Sequence, residues 1–181
     1  MDKEFLELQV DNFDRLCHKA KEIIFEGLIT GNEKFKMLFS QCGIAQNVAN
    51  STPIEQILYF SLPLYWKIEN GIQIYPQKEI ICNEHNYKVD ICIEYVRVNA
   101  DEDRYYILKH PIIIECDGYD YHSSKEQMKY DYERENNLKL AGYNIIRFTG
   151  SQIYSSPENC VAIIEKTILN AIANKEYKED D

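Results

Sequence analysis

The chain has 181 residues, enough for one ordinary domain with a real core and short for two. Its 20 Lys and Arg against 30 Asp and Glu leave a formal charge of −10, which argues against holding nucleic acid by bulk attraction to a basic face. No apolar run approaches the roughly 18 to 20 residues of a membrane span, the acidic opening "MDKEFLELQVDNFD" lacks an export pattern, and the six scattered cysteines show no zinc or redox spacing, so a cytoplasmic protein with reduced thiols is expected.

Along the chain, Phe5, Leu6, Val10, Phe13 and Leu16 recur at helical spacing. "CHKAKEIIFEGLI" continues the pattern to Gly31, and "NEKFKMLFSQC" predicts a second helix. Residues 1–50 therefore form an N-terminal helical extension with nothing chemical in it, a candidate contact for a second copy or a protein partner. In "NSTPIEQILYFSLPLYW", Ser51 or Thr52 caps a helix, Pro53 suits its first position and Glu55 favours the positive end of its dipole. Two roles that can coexist are open to Glu55: the acid of a capping box with Thr52, and a chemical duty.

Beyond Gly71 the period becomes two. "IQIYPQKEII" and "YKVDICIEYVRV" are predicted strands joined at "CNEHN", and "YYILKHPIIIEC" follows after "NADED", a meander of three antiparallel strands. The helix in "SSKEQMKYDYERENNLKLAG" stops at Gly142, and the strand "YNIIRFTG" and a helix from about Pro157 to Ala173 follow. This order is an α/β core over residues 51–175, with a mixed sheet of about four strands, three antiparallel plus one after a crossover helix. Residues 176–181 are an acidic tail.

Chemistry concentrates in "PIIIECDGYDYH". Side chains alternate along a strand, so Glu115 and Asp117 emerge on one face about 7 Å apart and can reach one ion. In "YKVDICIEY", Tyr87, Val89, Ile91 and Ile93 take one face and leave Asp90 on the other with Cys92 and Glu94. Pairing of the second and third strands then sets Asp90 across from Glu115. Three carboxylates at one sheet end repel by about 4 kcal/mol per close pair at an effective dielectric near 20. Something positive belongs among them, and a hard divalent cation such as magnesium fits. For any one of these acids taken singly, a solvated strand terminus is the alternative.

His122 follows Asp117 across "GYDY", and a sharp turn at Gly118 brings its imidazole back over the carboxylates. There it is a general base or acid near working pH; otherwise it is a surface or capping histidine at a helix entrance. On the next helix, Asp131 and Arg134 share the sheet-facing side with Leu138. Either they orient the site, with Asp131 fixing the His122 tautomer, or they are a surface i,i+3 pair. Arg147 ends its strand where it can touch a phosphate or pair with Asp131.

Taken in order, "TPIEQIL", "PQKEI", "YKVDICIE", "PIIIECDGYDYH" and "DYERENNLKLAGYNIIRFTG" resemble the Vsr-like branch of the PD-(D/E)XK restriction-endonuclease-like superfamily. That branch includes very short patch repair endonucleases and the EDxHD homing endonucleases, and the resemblance spans about residues 51 to 170. It implies a restriction-endonuclease-like α/β/α core and cleavage of DNA phosphodiester bonds with Mg2+ or Mn2+ and an activated water. By position it implies Asp90 and Glu115 as metal ligands, with the Cys116 carbonyl a third and Asp117 beside them. Glu55 is then the first-helix acid, and His122 and Asp131 complete the acidic and histidine cluster. Arg134 and Arg147 match basic positions expected to meet substrate phosphate. Where the superfamily's namesake motif has Lys two residues after the Glu, this chain has Asp117; Vsr-like members also lack that Lys. A nuclease-fold module without turnover, binding nucleic acid or a protein partner, is the alternative that the acidic balance favours.

Overall fold

The computed structural model describes residues 12–32, 35, 46–67, 71–99, 101, 104–118 and 124–179. Its contacts fall into two compact units, Met1–Trp66 with Gln152–Ala162, and Lys67–Ser151 with Ile163–Asp181.

The first unit holds α1 (His18–Ile29), α2 (Gln46–Ala49) and α3 (Pro53–Tyr65). Residues 12–15 are helical, but the run expected to continue through Leu16 breaks there. Cys17 is extended at φ −65, ψ 158 and its N–H donates to Gln56 Oε1 of α3 at 2.7 Å, so a tertiary bond takes a donor that an unbroken helix would keep. Phe5, Leu6, Val10 and most of "NEKFKMLFSQC" lie outside the described residues. Along α1 the buried positions are Ala20, Ile23, Ile24 and Gly27, the i, i+3, i+4, i+7 stripe of an amphipathic helix. Gly27 admits the Phe35 ring, because a Cβ there would stand 2.5 Å from the ring carbon Cγ.

The second unit is built on a sheet. β1 (Ile72–Cys82), β2 (His85–Val96) and β3 (Tyr106–Asp117) are the expected antiparallel meander. The crossover helix α4 (Lys125–Leu140) leads to β4 (Asn144–Thr149), which lies parallel to β3, giving the order β1-β2-β3-β4. After α5 (Gly150–Ser155) and α6 (Pro157–Ala173), β5 (Tyr177–Lys178) adds to the β3 edge not taken by β2. The acidic C-terminal stretch thus contributes a short fifth strand, held by Lys109 N–H donating to the Glu176 carbonyl at 2.9 Å. None of the described helices is long and apolar enough to cross a membrane.

Local chemistry explains the α4 boundaries. Ser124 Oγ accepts from the Gln127 N–H at 3.2 Å, and at the far end Gly142 sits at φ 94 while Tyr143 N–H closes back on the Leu138 carbonyl at 3.1 Å, the glycine-capped stop expected from the sequence. Leu138 is fully buried and anchors α4 to the sheet, in a cluster with Ile80, Tyr87, Val89, Cys92 and Ile113. On β3, Ile112, Ile113 and Ile114 are at most 1 % exposed, so this strand is covered on both faces. Each isoleucine contributes about 1.5 to 3 kcal/mol of burial.

One detail departs from strict alternation. Tyr87 and Val89 share a cluster with Cys92, although simple period-two counting assigns them to opposite faces. Between the ladder pairs Pro76 with Ile91 and Lys78 with Val89, Gln77 stands at φ 54, a left-handed kink opposite Asp90.

Candidate active site

The register that pairs Ile91 with Ile114 carries on to set Asp90 opposite Glu115, at the end of the buried β2–β3 core. Asp90 Oδ2 accepts the Cys116 main-chain N–H at 2.7 Å, which ties the β2 carboxylate to the tip of β3. Glu115 is 7 % exposed. Arg134 of α4 reaches it with a 2.6 Å contact from Nη2 to Oε1, and the same nitrogen donates to the Lys88 carbonyl at 3.0 Å. Burial pushes the Glu115 carboxyl above its ordinary value, and Arg134, then Arg147, pull against that without overcoming it.

Asp117 emerges on the Glu115 face and adds a like charge that also raises Glu115. It is half-exposed and paired with Arg147, whose Nη1 lies 3.1 Å from Oδ1. Parallel pairing puts Arg147 in register with Glu115, which is why its side chain reaches the residue two further along β3. Arg147 Nη2 also meets Glu135 Oε2 of α4 at 3.2 Å. Within the protein, Arg147 pairs with Asp117 and Glu135 and not with Asp131. Asp131 instead accepts from Gln127 Nε2 at 3.0 Å through Oδ1, while its Oδ2 is buried with no partner among the described residues.

Glu55 belongs to the first unit. Its Oε1 accepts from Thr52 Oγ1 at 2.6 Å and from the Thr52 N–H at 3.3 Å, the second being the glutamate half of a capping box, at 8 % exposure. His122 lies outside the described residues. Gly118, expected to turn the chain sharply, does not occupy the left-handed region, and an added Cβ would meet nothing within 4 Å. Sequence reasoning missed Glu135 and Lys139, which are joined at 2.6 Å. Their spacing in "ERENNLK" marks only an i,i+4 surface pair.

A restriction endonuclease-like family, REase_MTES_1575, has a model that matches residues 68–168, more than half of the chain. The chain belongs to this family. The REase_MTES_1575 match contains Asp90, Glu115, Cys116, Asp117, Asp131, Arg134 and Arg147 and leaves Glu55 outside it. No curated protein and no solved structure matches the chain. The architecture agrees with the family: a mixed α/β sheet with three antiparallel strands and one parallel strand after a crossover helix.

Restriction endonuclease-like folds generally use divalent metals. No group of three His, Cys, Asp or Glu suited to a metal ion is found among the described residues. The carboxylate repulsion that calls for a cation in the sequence is met in part by Arg134 and Arg147. The donor chemistry nonetheless fits a hard cation. Asp90, Glu115 and the Cys116 carbonyl would offer oxygen ligands of the kind Mg2+ takes while keeping waters.

Proposed function

We propose that this protein is a metal-dependent endonuclease that hydrolyses DNA phosphodiester bonds in the Vsr-like manner. The observation that carries the reading is the Asp90 carboxylate bound to the Cys116 N–H beside buried Glu115, within a chain of a restriction endonuclease-like family. Asp90, Glu115, Asp117 and the Cys116 carbonyl would hold Mg2+ or Mn2+, which supplies Lewis-acid stabilisation of a phosphoryl oxygen and a nucleophile at neutral pH. The protein's own part is orientation and proton handling. Arg134 keeps Glu115 in place from α4, Arg147 offers its spare donors to a substrate phosphate, and His122 exchanges a proton with water or the leaving oxygen, with Asp131 orienting it. Glu55 caps its helix and serves as the family-type first-helix acid. Residues 1–50 would be an extension that meets a second copy or a partner, ahead of a nuclease region at 51–175.

A second reading is a nuclease-fold module that binds nucleic acid or a protein without turnover. It is favoured by the arginines already seated on Glu115 and Asp117 and by the formal charge of −10. Nicking of supercoiled plasmid in magnesium separates the two. The first reading expects cleavage by wild type, none in chelator, and losses of about a hundredfold or more in Asp90→Asn and Glu115→Gln. Absence of cleavage together with absence of divalent-ion binding by calorimetry sinks it.

A further inference from the structure

Four charged side chains form a continuous ladder across α4, β4 and β3. Lys139 Nζ lies 2.6 Å from Glu135 Oε1, Glu135 Oε2 lies 3.2 Å from Arg147 Nη2, and Arg147 Nη1 lies 3.1 Å from Asp117 Oδ1. Each oxygen of Glu135 has its own cation, and each terminal nitrogen of Arg147 has its own carboxylate. A planar guanidinium gripped at two nitrogens cannot swing without giving up a contact, so its orientation is set before any substrate arrives. Lys139 foremost, with help from Arg147, holds the Glu135 carboxyl below its ordinary value, which keeps it charged for this task.

The ladder ends at a telling place. Arg147 is in register with Glu115 and bonded to Asp117, so it brings a fixed cation to the residue that stands where the namesake motif has lysine. We infer that Glu135 is a positioning residue: braced by Lys139, it fixes the Arg147 guanidinium across Asp117 so that its remaining N–H donors face a DNA phosphate. This deepens the nuclease reading of the same sheet rim and rests on it.

The sign of one binding measurement distinguishes positioning from simple charge. Removing the negative Glu135 should, by Coulomb attraction alone, tighten binding to a polyanion. Positioning demands the opposite. With a labelled DNA duplex in calcium, followed by fluorescence anisotropy on the full chain, Glu135→Ala is expected to weaken binding about fivefold, the scale of one partly exposed ion pair. Glu135→Gln, which keeps an acceptor oxygen, restores most of that loss, and in an Arg147→Ala background Glu135→Ala weakens binding no further. Tighter or unchanged binding in Glu135→Ala, or the same loss in the Arg147→Ala background, overturns the inference. Should wild type fail to bind DNA, the nuclease reading falls, and the Arg147 Nε–H resonance decides the ladder. A line sharp in wild type and exchange-broadened in Glu135→Ala upholds Glu135 as the residue that fixes Arg147; a line unchanged by the substitution overturns it.

Discussion

Arg134→Ala and Glu115→Gln break the same contact from opposite sides, and the structure makes their costs unequal. Glu115 is 7 % exposed, and Arg134, whose side chain is 14 % exposed, is bonded to it at 2.6 Å. Removing Arg134 strands a carboxylate in a poorly solvated place; fully buried pairs broken this way lose about 3 to 5 kcal/mol, and the remaining exposure and Arg147 bring the expectation to about 3 kcal/mol at neutral pH. For a chain of this size that lowers the thermal midpoint by about 6 to 12 °C. Glu115→Gln is different, because burial already outweighs Arg134 and disfavours the charge. A neutral isostere keeps an oxygen for Arg134 and is expected to cost under about 1 kcal/mol.

The pH dependence follows from the same imbalance. With its folded value raised above 4.5, Glu115 binds more proton in the native than in the unfolded chain. Its contribution to stability is therefore complete below the unfolded value and lost as pH rises from about 4.5 through the folded value. Glu115→Gln abolishes that slope, and Arg134→Ala, by removing a lowering influence, stretches the window upward. Urea titrations in chelator, monitored by far-UV circular dichroism across this range, measure all three effects. If Glu115→Gln destabilises as much as Arg134→Ala, or wild type gains stability relative to Glu115→Gln across the window, burial is not the dominant influence on Glu115 and the reasoning fails.

Other outcomes are as definite. Cys92, whose thiol burial pushes up to about 12, and Cys160, pushed up to about 11, should resist alkylation at pH 8 while the half-buried Cys17 and Cys82 react, as peptide mass spectrometry would read. Thr52→Ala should cost about 1 kcal/mol through loss of the α3 cap, seen as a lower urea midpoint. Gly27→Ala should cost about 1 to 3 kcal/mol, because the new methyl meets the Phe35 ring; a neutral result would mean the ring moves aside freely. Gly118→Ala, by contrast, should change stability by less than about 0.5 kcal/mol and so leave the thermal midpoint within about 2 °C of wild type, since the position is neither left-handed nor crowded.

Much of the fold was legible because its signals are local. The three-strand meander, the parallel strand after a crossover helix and the Gly142 stop each follow from period, turn chemistry or a cap written into a few consecutive residues. The break at Leu16–Cys17 was not, because it depends on Gln56, 39 positions along the chain from Cys17. The kink at Gln77 is likewise hidden, since nothing about a glutamine announces a positive φ in the middle of a strand.

The sequence by itself determined that acids would stand at the end of an isoleucine strand, with Asp90 able to face Glu115, because alternation and antiparallel register are properties of the backbone. Only the tertiary structure decided which charge answers which. Arg134 crosses from α4 to Glu115, and Arg147 turns to Asp117 and Glu135 and not to Asp131. Partners of long side chains on different elements are chosen by helix placement and strand register acting together, and no spacing along one segment encodes that choice.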